Sequence, residues 1–331
     1  MRRAVAVAAF LILAAATVSV APAPVLAPLA APQPAPARPV PSLHQVHRVF
    51  VIVMENLGYR AAMAVPALRS LAERYASASQ YYATTHPSLP NYIALTSGGT
   101  YGITTDCWYC QLAVPNLGEE LSAKGVSWGA YMQGLPASCW LGPWWPPGDY
   151  AGKHDPFRYY TDIVTSPALC QHIQPLGALS ARLAGPLSAV PRFVWITPNL
   201  CNDGHDCPAV QAAAWLSAEV AAITASPAWK DGGFLVVTWD EGNGADRRGV
   251  DAAGKVVPNG GGGHVLTLVI SPLVRKGLVI ATPLNHLSLL KTVEEIFNLP
   301  KLGATRPANL ADLSGFLNPP REIWPGTGRG G

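Results

Sequence analysis

RVFVIVMEN, residues 48–56, decides the fold. From Val49 to Met54 the chain is apolar without a break and rich in β-branched side chains. An alternating pattern would suit a strand wet on one face; an unbroken one suits a strand buried on both. The run stops at Glu55-Asn56. Outward from it, the same design recurs. RFVWIT (192–197) runs into Pro198-Asn199 and then Asn202-Asp203-Gly204-His205-Asp206. GFLVVTW (233–239) ends in Asp240-Glu241-Gly242, and His264 opens VLTLVIS (265–271). Helical spacing is found over Ala67–Ala78, with Pro66 suited to a first helical position, and again over Ala209–Thr224 and Leu287–Asn298. Strands alternating with helices predict an α/β fold, with a mostly parallel sheet covered by helices on both faces. No internal repeat is visible.

In open α/β sheets, chemistry gathers beyond the carboxyl ends of the strands. Three of these ends carry acids and amides. Glu55, Asn56, Asp240 and Glu241 offer only oxygen, which suits a hard divalent ion such as Ca²⁺, Mg²⁺ or Mn²⁺, with zinc as a further candidate. His86, His205 and His264 are placed around such an ion as ligands, phosphate donors or general acids. After the helical run over Ala67–Ala78 lies TTHPSLPNYIALTSG (84–98). Pro87 and Pro90 block regular structure around Ser88, and a helical run from Asn91 follows. A serine just before a helix N-terminus faces N–H groups that favour an anion. Alone, Ser88 reads as a helix cap. Beside a metal its hydroxyl becomes a nucleophile, with Thr84 and Thr85 as alternatives.

The formal charge of +3 over 331 residues misleads. Setting aside Arg2, Arg3 and Arg38 takes Lys+Arg from 23 to 20, against 20 Asp+Glu. A neutral remainder gives no electrostatic case for a nucleic-acid partner. Arg2-Arg3, an apolar run from Ala4 to Val20 and the small residues after it predict a signal peptide over 1–27, hence export and no stable membrane anchor after processing. Residues 28–45 are expected to form a Pro/Ala-rich linker, and 46–331 a single catalytic domain with a Cys/Trp-rich insertion around 101–172. The six cysteines fit an oxidised compartment. Proximity alone pairs Cys201 with Cys207, and Cys107-Trp-Tyr-Cys110 lacks the second CxxC or strand–helix context of a metal or redox site.

VIVMEN, THPSLPNYIALTSG, TPNLCNDGHD, VVTWDEG, GGHVLTLVISP and NHLSLLKTVEEIFNLP resemble, in order, the motifs of the phosphoesterase family that contains acid phosphatases and bacterial phospholipases C, within the alkaline phosphatase superfamily. The resemblance runs from about Val49 to Pro300. It implies an alkaline-phosphatase-like fold and a metal held by Glu55, Asn56, Asp240 and Glu241. His205 and His264 correspond to the family's active-site histidines. Ser-Leu-Pro-Asn at 88–91 is similar to the Thr-Phe-Pro-Asn step bearing the nucleophile in nucleotide pyrophosphatases, which implies Ser88. His86, Asn91 and Asp203 are expected to bind substrate. The chain lacks the long insertions and C-terminal modules of the larger phospholipases. The expectation is therefore an exported acid-phosphatase-like enzyme that hydrolyses small phosphate monoesters through a phosphoserine. The competing expectations are a phospholipase C-type phosphodiesterase, with the aromatic segment Trp108–Tyr160 lining an apolar mouth, and a non-catalytic binding protein. His44, His47 and His172 are expected outside the site, His154 in a loop at its mouth, and His286 as a helix cap or behind the metal.

Overall fold

β1 (Arg48–Met54) is buried at all seven positions, as its unbroken apolar run requires. The computed structural model describes residues 41–317. In it, β1 is joined by β2 (Ala76–Ala78), β3 (Trp128–Met132), β4 (Ile173–Pro175), β5 (Phe193–Thr197), β6 (Gly233–Trp239), β7 (Thr267–Ile270) and β8 (Val279–Ile280). They form one sheet of order β8-β2-β7-β6-β1-β5-β3-β4. The five strands from β6 to β4 run parallel. β7 is antiparallel to both β6 and β2.

Register places the site. Met54 is opposite Trp239, so the residues that follow, Glu55 and Asp240, emerge side by side. Ile52 is opposite Ile196, so β5 delivers the Asn202–Asp206 loop to the same edge. The backbone seals that edge: Asp240 N–H donates to Met54 O at 2.9 Å and Glu55 N–H to Asp203 O at 3.1 Å.

The predicted 67–78 helix is shorter. It ends as α1 (Pro66–Arg74), burying Leu68, Leu71 and Ala72, and Ala76-Ser77-Ala78 becomes β2. The small residues there pair between β7 and β8, and sheet pairing overrides their helical preference. α2 (Ser88–Ser97) is buried along its whole length. α3 (Leu117–Ala123) leads into β3, α4 (Ala209–Ala225) lies against α1, and α5 (His286–Phe297) against α2. α2 stops at Gly98, whose φ is +79° and where a Cβ would stand 2.3 Å from Leu302 O.

Disulfides join Cys107 to Cys110, Cys139 to Cys170 and Cys201 to Cys207. The expected signal peptide and most of the linker, with residues 318–331, lie outside the described residues. The linker's last residues, Leu43–Gln45, form a 3₁₀ turn, and Leu43 packs on the core. Among the described residues no helix is long and apolar enough to cross a membrane.

Candidate active site

Ser88 is the first residue of α2, and Pro87 takes the cap position. The serine side chain is therefore free of capping. Its Oγ donates to Glu55 Oε2 at 3.1 Å and lies 3.5 Å from Asn56 Oδ1. Asn56 sits at φ +39°, in the left-handed region that Asn tolerates, which turns the chain sharply off β1. Its backbone N–H donates to Asp240 Oδ1 at 3.2 Å. Glu55, Asn56, Ser88 and Asp240 thus converge from two strand ends and one helix start.

This group is short of positive charge. Glu55 and Asp240 are buried within it, and Asp203 is buried nearby. Burial, then the Asp240 and Asp203 charges, push the Glu55 carboxyl well above the usual range. Burial first pushes Asp203 and Asp240 up to about 8. Asp240 Oδ2 and Asp203 Oδ2 are buried without a hydrogen-bond partner. The Asn56 amide bridges the two acids: turned with its nitrogen toward them, it donates to Asp240 Oδ1 at 3.2 Å and to Glu55 Oε2 at 2.9 Å. Buried carboxylate oxygens left without a hydrogen-bond partner are the kind of donor a hard cation takes. Among the described residues no three His, Cys, Asp or Glu side chains are grouped to hold an ion. Here the converging set is two carboxylates completed by an amide and a hydroxyl.

The remaining expected residues sort into neighbours. Asp240 and Glu241 point apart: Glu241 Oε2 is bound by His86 Nδ1, while His86 Nε2 meets Asp246 O at 2.8 Å. Both nitrogens of His86 are thereby engaged. Asn91 is spent on its own loop. Its Oδ1 accepts from the N–H groups of Thr84 (3.0 Å) and Thr85 (2.9 Å), and its Nδ2 donates to Thr85 O and Pro87 O. Gly262 presses on that loop: a Cβ there would stand 2.1 Å from Thr85 O. Asp203 Oδ1 accepts from His205 N–H at 2.7 Å. His205 is partly exposed, with its Nδ1 against Asp206. His264 is stacked between Tyr59 and Tyr82, centroids 4.2 and 5.0 Å away, and its Nε2 is buried and unpartnered. Burial lowers its pKa. His286 starts α5 and lies behind Asp240, with Nε2 2.6 Å from that residue's carbonyl oxygen.

Three residues join this group that the sequence did not single out for it. His154 is expected at the mouth but is 2 % exposed. Its Nε2 is 3.2 Å from Glu55 Oε2 and its Nδ1 3.6 Å from Asp203 Oδ2, and burial drives its pKa well down. Tyr92 donates from its hydroxyl to Glu55 Oε1 and stacks on His154. It lies four residues after Ser88 on one helix, a spacing that signals a shared face. Asp106 accepts from Leu89 N–H at 3.0 Å and from Lys153 Nζ at 3.0 Å, tying the α2 start to the insertion. Nothing local in the sequence marks that link.

The phosphoesterase family profile matches residues 42–300. The chain is 32 % identical over 276 residues to a phosphatidylinositol-3-phosphatase of Mycobacterium tuberculosis, covering 81 % of this chain and 82 % of that protein. It is 28 % identical to a probable acid phosphatase of Kluyveromyces lactis (77 % of this chain, 59 % of that one) and 27 % identical to an acid phosphatase of Aspergillus fumigatus (86 % and 63 %). The chain thus spans less than two thirds of these fungal relatives. Among solved structures, a protein of the alkaline phosphatase superfamily from Vibrio parahaemolyticus superposes with a TM-score of 0.52 at 14 % identity, over 81 % of this chain and 72 % of that one. The likeness is one of fold.

Proposed function

This chain belongs to the phosphoesterase family and is a hydrolase acting on phosphoric ester bonds, and from that premise we propose that it hydrolyses phosphate monoesters at Ser88 with the help of a divalent cation. The observation that carries the proposal is the Ser88 Oγ contact with Glu55, set beside buried carboxylates, Asp203 and Asp240, each with an unpartnered oxygen. Glu55, Asn56 and Asp240 would hold the cation, with Glu241 beside them. Such an ion supplies positive charge that lowers the serine hydroxyl's pKa and neutralises a phosphoryl oxygen.

The chain's own residues do the rest. Asn91 fixes the loop that presents Ser88. Ser88 Oγ forms the bond to phosphorus as the ester P–O bond breaks, and its proton passes toward Glu55 Oε2, which it already faces. The departing alkoxide takes a proton from His205 or His264. Water then cleaves the phosphoserine, releasing phosphate and restoring the hydroxyl. Asp203 holds the His205 backbone, and His86 holds Glu241.

Export from the cytoplasm is part of the same proposal, and the three disulfides support it. The names of the M. tuberculosis and fungal relatives, all phosphatases, support a monoester over a diester. The test is purified protein assayed on p-nitrophenyl phosphate and on p-nitrophenyl phosphorylcholine, with and without chelator, alongside metal analysis. Monoester turnover that chelator abolishes is expected. Preference for the diester would favour a phospholipase C-type enzyme, and turnover indifferent to chelation would remove the cation.

A further inference from the structure

Two tryptophans are exposed although their loops are fastened from behind. Trp108 is 46 % exposed and Trp144 39 %, with ring centroids 6.3 Å apart. With Lys153, Leu200, His205 and Asp206 they line a cavity of about 570 Å³. Large apolar side chains left in water at one place mark a surface built to bind.

Their loops are fixed from behind. Arg158, 6 % exposed, donates from Nη1 to Trp108 O at 3.2 Å and from Nη2 to Leu141 O at 2.7 Å, so one buried guanidinium staples both loops. The Cys107–Cys110 disulfide closes the Trp108 loop, and Cys201–Cys207 closes the loop that carries His205. A rigid wall loses little entropy when a ligand settles on it.

The cavity approaches the reacting centre: the ring of His205, which lines it, is 6.0 Å from that of His154. Lys153 lines it and precedes the buried His154, which faces Glu55. Asp106 bonds both Lys153 Nζ and the N–H of Leu89, the residue after Ser88. The space is thus lined by charged side chains, Lys153 and Asp206, as well as by the two apolar indoles.

We propose that this cavity is the leaving-group subsite, that Trp108 and Trp144 determine specificity, and that the group they accept is an apolar chain or ring esterified to the phosphate. The proposal rests on the monoester reading of the site and names its substrate class. Water-soluble primary alkyl phosphates from ethyl to octyl, kept below their micelle concentrations, test it, because their leaving groups differ only in apolar length. For the wild type, kcat/KM is expected to rise about twofold per methylene, roughly half the gain of full burial. In the Trp108→Ala/Trp144→Ala double variant the octyl-to-ethyl ratio is expected to fall at least about tenfold. Val210→Ala, at a residue 63 % exposed elsewhere on the surface, is expected to keep that ratio. A flat series in the wild type, or an unchanged ratio in the double variant, overturns the subsite and leaves an ordinary disulfide-braced surface. Calorimetric titration with octylphosphonate, which cannot be hydrolysed, separates the two levels. Binding by the wild type and not by the double variant, without turnover of any ester, keeps the subsite and overturns the monoesterase reading. Equal binding by both overturns the subsite.

Discussion

Ser88 Oγ donates to Glu55 Oε2 at 3.1 Å, so the first residue of a buried helix is tied to the residue that follows the central strand. If that hydroxyl is the nucleophile, Ser88→Ala is expected to lower kcat on p-nitrophenyl phosphate by about 10³-fold or more with the fold intact. Thr85→Ala is expected to cost far less, because the Thr85 hydroxyl turns to the His86 carbonyl. A Ser88→Ala enzyme that keeps most of its rate would move the nucleophile to Thr85. Trapping of a phosphorylated peptide by mass spectrometry reads the same question independently.

Function and stability should pull in opposite directions at Asp240. Its carboxyl is pushed up to about 8, first by burial and then by Glu241. A carboxyl with a raised folded pKa loses stability as pH climbs from about 4 toward 8, since the native state holds the proton longer than the unfolded one. In chelator at pH 8, Asp240→Asn is expected to melt at least about 2 °C above the wild type, while ester hydrolysis falls steeply. Equal melting temperatures would show that the acid carries no penalty when the cation is removed.

The disulfides differ in what they hold. Cys139–Cys170 spans 31 residues, so its loss by Cys139→Ser/Cys170→Ser is expected to cost about 3–4 kcal/mol of stability in urea titration. Cys107–Cys110 closes a three-residue step and braces only the Trp108 loop. Its removal is expected to alter KM more than the melting temperature. A reversed order would assign the insertion a different anchor.

Asp155 gives a pH effect away from the proposed cation ligands. Burial raises its carboxyl from an ordinary value near 3.8 to about 6, although it accepts from Phe157 N–H at 3.1 Å and lies 3.3 Å from the Tyr150 hydroxyl. The raised pKa means that stability is lost as pH rises from about 4 to about 6, by roughly 3 kcal/mol. Asp155→Asn is expected to flatten that slope between pH 4 and 7. Parallel unfolding curves for the two proteins across that range would refute the assignment.

Much of this was legible in the chain. The strand runs 48–54 and 233–239 are the observed strands, because doubly buried parallel strands have an unmistakable composition. Their termini, Glu55-Asn56 and Asp240-Glu241, could be paired before any coordinates, since parallel neighbours deliver their ends to one edge. Three things were hidden. Ala76–Ala78 is a strand only because β7 and β8 flank it. The split between Asp240, which meets Asn56, and Glu241, which meets His86, follows from strand pleat and register. His154 ends a short 3₁₀ turn (Gly152–His154) whose path is set by the Asp155 cap, Arg158 and a disulfide, none of which leaves a periodic trace.

Burial of α2 over all ten of its residues bears on how such a protein diversifies. Changes to the packed apolar side chains of that helix are felt first as lost stability, so the Ser88 scaffold is closed to gradual experiment. The Trp108 and Trp144 loops, fastened from behind and open in front, can be rewritten without touching it. New substrates should therefore arise by exchange of the rim around an inherited centre.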